Sequence, residues 1–95
     1  MSVYFIANLQ IHDEEGYQKY CELMNEDMVS FNGKYLAVET KAEVLEGEWN
    51  YDRLVLLEFS DQDALYAWYN SLEYQEIIKL RTNSTKSDVI VVKGL

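Results

Sequence analysis

The chain predicts an α+β sandwich, a four-stranded antiparallel sheet with helices on one face. Three observations predict it. Residues 3–11 alternate in the period of a strand, residues 53–59 form a near-continuous apolar run, and two other stretches repeat apolar residues at helical spacing. The order is strand, helix, strand, strand, helix pair, strand. Two such β-α-β halves joined by a hairpin form the ferredoxin-like βαββαβ sandwich.

Each element has its own signal. Val3, Phe5, Ala7, Leu9 and Ile11 make one apolar strand face, and Tyr4, Ile6, Asn8 and Gln10 make the other, apolar first and then polar. Asp13 suits an N-cap, and Glu14 and Glu15 suit a first helical turn, where the helix dipole favours acids. Tyr17, Tyr20, Cys21, Met24, Met28 and Phe31 then follow helical spacing up to Asn32-Gly33, a stop signal in which Gly tolerates the left-handed conformation. Residues 34–45 alternate as a second strand. Residues 46–52 read as a loop, and Arg53 to Phe59 as a central strand apolar on both faces. Ser60 with Asp63 resembles a capping box. The helix it opens turns Ala64, Leu65, Ala67 and Trp68 to the sheet. Ser71 restarts a helix. Thr82 to Ser87 reads as a polar loop, and Val89 to Val92 as a last short strand.

The totals bound the function. Ninety-five residues make a single domain, 1–95. A chain this small buries only about two-thirds of its unfolded surface, so its stability margin is thin. Seventeen acids against eight bases give a net charge of −9, which repels nucleic acid and anionic membranes. One cysteine, Cys21, excludes an internal disulfide and a CxxC zinc set. The opening Met-Ser-Val-Tyr-Phe-Ile-Ala lacks a basic n-region, and no apolar run approaches the roughly 20 residues of a membrane span. The sequence therefore reads as cytoplasmic. Helices on one sheet face leave the other uncovered, yet strands 1 and 3 are apolar on both. A second copy, packed sheet to sheet, is the simplest cover, which makes a homodimer.

Particular residues then resemble a known family. Gly33-Lys34-Tyr35-Leu36, Leu45-Glu46-Gly47-Glu48-Trp49, Arg53-Leu54-Val55-Leu56-Leu57-Glu58-Phe59, Ala67-Trp68-Tyr69-Asn70-Ser71-Leu72-Glu73-Tyr74-Gln75 and Arg81 look like the domain of unknown function 1330 proteins. The resemblance spans nearly the whole chain and implies the dimeric α+β barrel form of the fold. It implies no established reaction. Related barrels include cofactor-free monooxygenases, chlorite-dismutase-like haem proteins and ligand-binding regulators, a fold-level analogy only. The family pattern commonly places His before the Gly that ends the first helix and Pro before strand 3. This chain has Asn32 at the first position and Asn50-Tyr51-Asp52 at the second.

Among candidate site residues Arg81 comes first. Tyr74, Ile77, Ile78 and Arg81 fall at i, i+3, i+4 and i+7, so they share one helix face and carry a guanidinium to the edge of the core. A charge there needs a partner, either an internal acid such as Glu58 or the carboxylate or enolate of a ligand. Trp68, Tyr69, Tyr74 and Tyr4 offer walls and hydroxyls for such a ligand, and equally offer plain core packing. Arg53 beside Asp52 and Glu48 reads as a local ion pair. Ser71 reads as an N-cap, and His12 as a cap for the first helix. One His and one Cys are too few for an ordinary metal or haem site, and neither GxGxxG nor a P-loop occurs. The reading is a cytoplasmic homodimer that binds a small carbonyl- or carboxylate-bearing molecule between sheet and helices. Any catalysis would need no cofactor, and no catalytic residue can be named. The alternative is a non-catalytic protein-interaction module, and a third reading is an enzyme using diffusible flavin or haem.

Overall fold

The alternating segment Val3–Ile11 is the first strand, β1, and it lies inside the sheet. In the computed structural model, which describes residues 2–39 and 42–95, it is followed by α1 (Glu14–Val29), β2 (Lys34–Glu39), β3 (Arg53–Phe59), α2 (Gln62–Tyr69), α3 (Leu72–Ser84) and β4 (Thr85–Lys93). The strand order is β2-β3-β1-β4 and every pairing is antiparallel, giving the α+β ferredoxin-like fold.

Strand periodicity sorts the residues onto two faces. Val3, Phe5, Ala7 and Leu9 of β1 and Val55, Leu57 and Phe59 of β3 are buried beneath the helices. They pack there against Tyr17, Tyr20, Met24 and Met28 of α1, Leu65 and Trp68 of α2, and Tyr74 of α3. Each large side chain so buried contributes about 1.5–3 kcal/mol. The other face carries Tyr4, Ile6 and Asn8, with Leu54, Leu56, Ile90 and Val92 as cross-strand partners or neighbours. No helix covers it, and Ile90 and Val92 are 53% and 41% exposed.

The caps follow local chemistry. Asp13 accepts a hydrogen bond from the Gly16 N–H, and Asp61 one from the Ala64 N–H. Asp61 rather than Ser60 therefore starts α2, and the helix turns Leu65 and Trp68 inward while Ala67 is exposed. At the end of α1, Asn32 adopts the left-handed conformation (φ 60°). Asn tolerates it because its short polar side chain bonds locally. Gly33 serves another purpose. A Cβ there would lie 2.6 Å from Met28 Cγ and 2.8 Å from the Phe59 ring, so the glycine lets the chain pass against the core.

Two boundaries differ from the sequence reading. The second strand ends at Glu39, opposite Leu54, where β3 itself is about to run out at Arg53. Thr40 and Lys41 lie outside the described residues, and Ala42–Leu45 have no partner strand and are not strand. The expected polar loop 82–87 does not exist. α3 runs to Ser84 and β4 begins at once, because β1 extends to Ile11 and pairs with Thr85. Ser84 locks the junction, its carbonyl accepting from the His12 and Asp13 N–H groups at 3.0 and 3.1 Å. Tertiary pairing overrides the polar composition of Thr85–Asp88.

Candidate functional site

Ser71 sets the phase of α3. Its hydroxyl accepts from the Tyr74 N–H at 3.1 Å and donates to the Trp68 carbonyl at 2.7 Å. From that cap, Tyr74 is buried, Ile77 and Ile78 are half-buried, and Arg81 is only 4% exposed. Arg81 stands in the last helical turn, where the negative end of the helix dipole favours a cation. Its Nη1 donates to Ser87 Oγ at 2.5 Å, and its guanidinium carbon lies 5.9 Å from the centre of the Tyr20 ring. Burial alone would lower its pKa, but the phenol oxygens of Tyr74 and Tyr20 outweigh that and hold it above the ordinary value. A guanidinium stays charged in any case. Its Nε is buried without a partner. Glu58 cannot supply one, because it stands opposite Tyr4 on the other sheet face. Among the described residues no carboxylate lies within 4.0 Å of Arg81.

Two tyrosines complete this centre. The hydroxyls of Tyr20 and Tyr74 are 2.7 Å apart. Burial raises the pKa of both, and the Arg81 charge pulls against that rise at each. The bond between them acts in opposite directions, up for Tyr20 and down for Tyr74. Either hydroxyl can donate in that bond. Both are neutral at pH 7 and offer hydrogen bonds rather than a base. Tyr17, too, is pushed up by burial, beyond the ordinary phenol range.

These groups end a cavity between sheet and helices. Its floor is Phe5, Ala7, Leu9 and Val55. α1 supplies Tyr17, Tyr20, Cys21 and Met24, β2 supplies Tyr35 and Val38, and Arg81 stands at its end. The volume is about 30 Å³, room for one water or one ligand oxygen and nothing larger. It shares Cys21, Tyr35 and Val38 with an outer basin of about 360 Å³, which Gln18 and Arg53 complete. That is the size of a small-ligand pocket. The opening exists because α1 leaves the helix-side residues of β2 uncovered: Tyr35 is 38% and Val38 50% exposed. Burial still raises Tyr35 to about 12. Burial also raises the Cys21 thiol, keeping it protonated and a poor nucleophile.

Arg53 forms no pair with Asp52. The Asp52 carboxylate accepts from the Ile11 N–H at 2.7 Å, finishing the β1 ladder. Arg53 instead lies over the Tyr17 ring at 5.0 Å, on the helix side, opposite Leu9. Its Nε is buried and unpartnered, and no carboxylate of the described residues lies within 4.0 Å of it.

The residues singled out from sequence separate into layers. Arg81 lines the cavity, and Tyr74 reaches it only through its hydrogen bond to Tyr20, which lines it. Trp68 and Tyr69 stand behind Tyr74, at ring distances of 4.1 and 5.6 Å, and support it without lining the cavity. Tyr4 is on the opposite sheet face, so it does not line this cavity; alternation separates it from Phe5 without telling which face the helices cover. The His12 backbone N–H bonds Ser84. Among the described residues no cluster of three His, Cys, Asp or Glu could hold a metal ion. Tyr17 and Tyr20 were missed as site residues because their spacing reads as core. Two phenols on one buried stripe were the available signal.

No curated protein matches the sequence. Solved structures match in fold. A protein of unknown function from Rhodopseudomonas palustris superposes with a TM-score of 0.85 at 17% identity, over 99% of this chain and 82% of that one. A dimeric ferredoxin-like protein of unknown function from Jannaschia sp. CCS1 gives 0.79 at 15% identity, over 99% and 100%. SnoaB, a cofactor-independent oxygenase from Streptomyces nogalater, gives 0.74 at 9% identity, over 99% and 93%. Such identities show the fold alone. The family model described as Domain of unknown function (DUF1330) matches residues 2–95, and the chain belongs to that family.

Proposed function

We propose that this single-domain protein works as a cytoplasmic homodimer that binds a small, partly apolar molecule through one carbonyl, enol or carboxylate oxygen. The oxygen occupies the inner cavity and the apolar body fills the outer basin. One observation carries the reading: a guanidinium 4% exposed, with an unpartnered Nε and no carboxylate of the described residues in reach, beside a small cavity open to solvent. A buried charge without a counter-ion is costly unless something else answers it, and a ligand oxygen would. Arg81 and the Tyr20–Tyr74 pair together stabilise negative charge on that oxygen. Catalysis in such a site takes the form of holding an enolate, with no cofactor of its own. The fold shared with a cofactor-independent oxygenase is in keeping with this reading. The apolar open sheet face supports the homodimer.

The test is calorimetric titration of phenol into wild-type protein and the Arg81→Met variant. Wild type is expected to bind and the variant, still folded by circular dichroism, to lose binding. A folded variant that binds phenol as wild type does would refute the role of Arg81. Should the variant unfold, Arg81 is structural and the reading loses its main support.

A further inference from the structure

Resting on that cleft, the geometry points to Arg53 as a second anion receptor at its mouth, so that the ligand carries two oxygen functions, a carbonyl or hydroxyl inside and a carboxylate outside. The chain has two arginines, and both have a buried Nε with no partner. They bracket one row of side chains. Arg53 lies 5.0 Å from the Tyr17 ring, the Tyr17 and Tyr20 rings are 5.8 Å apart, and Arg81 is 5.9 Å from the Tyr20 ring. Arg81 faces the inner cavity and Arg53 the outer basin, so the row runs along the path a ligand would take.

Charge makes the arrangement notable. Seventeen acids surround eight bases in this chain, yet among the described residues neither arginine has a carboxylate within 4.0 Å. The nearest acid in sequence, Asp52, is committed to the Ile11 N–H. Arg53 therefore meets the Tyr17 phenol but no carboxylate of the described residues, and its planar fork is of the kind that takes a carboxylate through two parallel hydrogen bonds. The walls between the two arginines are aromatic and aliphatic, Tyr17 and Cys21 on one side and Tyr35 and Val38 on the other. A flat, unsaturated or aromatic body fits between them. The inner cavity admits a single oxygen, so the bulkier carboxylate must be the outer group. The ligand class is an aryl or enol carboxylate with its two oxygen functions at opposite ends.

Three probes test this by calorimetry with the intact protein: phenol for the inner site alone, 4-hydroxycinnamate for both sites, and tyramine, which puts a cation where the carboxylate should be. Wild type is expected to bind 4-hydroxycinnamate at least 10-fold more tightly than phenol and tyramine more weakly than phenol. Arg53→Gln should reduce 4-hydroxycinnamate affinity to near that of phenol, a loss at least 10-fold greater than any it causes in phenol binding. Arg53→Lys, which keeps the charge and loses the fork, should fall between. Equal binding of 4-hydroxycinnamate and tyramine by wild type overturns the inference even if both variants misfold. If phenol binds while 4-hydroxycinnamate gains nothing, Arg53 is no receptor and the inner site stands. If wild type binds none of the three, the cleft reading falls as well.

Discussion

The two faces of one sheet solve opposite problems with alternate residues of the same strands. On the helix side, Phe5, Leu57 and Phe59 are closed over by Trp68 and Leu65 to 1% exposure or less. That face also holds the costly groups: Tyr20 and Tyr74 bond each other, while Arg81 bonds Ser87 through Nη1 and keeps its Nε unpartnered. On the other side, Ile6, Leu54, Leu56, Ile90 and Val92 form an apolar surface that no helix of the described residues covers, the loop before β3 reaching only its end at Leu54 and Asp88, and Asn8 Oδ1 is buried there without a partner. The difference teaches that the chain completes one core and leaves another half-built. What the helix face stabilises is this fold. In the proposed homodimer the open face gives its apolar area to the second copy.

The sharpest way to break this contrast is to empty the helix side. Trp68→Ala should cost about 3–5 kcal/mol and lower the denaturation midpoint drastically, since Phe5, Phe59, Tyr69 and Tyr74 all pack on that ring. Chemical denaturation measures it. A charge on the other face should act through assembly instead: by light scattering, wild type is expected to give dimers and Ile6→Lys folded monomers. A folded Ile6→Lys dimer would move the interface elsewhere.

The phenols give a pH test that reads chiefly the helix side, Tyr51, raised by its bond to Asp88, lying outside it. Tyr17, Tyr20, Tyr35 and Tyr74 all have folded pKa values raised above the ordinary 10, chiefly by burial. A raised folded value means that the folded state holds its protons longer than the unfolded chain. The associated stability is complete below pH 10 and is lost as pH rises through the folded values, Tyr35's being about 12. The melting temperature should therefore fall steadily above pH 10, with tyrosinate absorbance lagging that of the denatured protein. Smallest of all, Asp61→Ala should cost about 1 kcal/mol through loss of the α2 cap, and leave both faces intact.

Much of this was legible in the residues. The alternation of Val3–Ile11 and the i, i+7 spacing of Tyr74 and Arg81 carried the sheet and the inner end of the cavity. Alternation could tell that Tyr4 and Phe5 face opposite ways, but only the packed helices decide which of them meets Arg81. The polar run Thr85–Ser87 read as loop because its strand character comes from β1, a partner more than 70 positions away in sequence. Arg53 read as an ion pair because its acidic neighbours are adjacent in the chain, whereas Asp52 turns to the Ile11 amide.

The central claim is that the buried guanidiniums await ligand oxygens, and because the chain has only two arginines it can be watched directly. Protein labelled with ¹⁵N-arginine gives two Nε–H signals, assigned with Arg53→Lys. On adding 4-hydroxycinnamate, the account predicts that both signals shift and that their exchange with water slows. Nε–H signals that stay in place under a saturating excess of the probe would contradict it and leave both arginines as structural parts of the core.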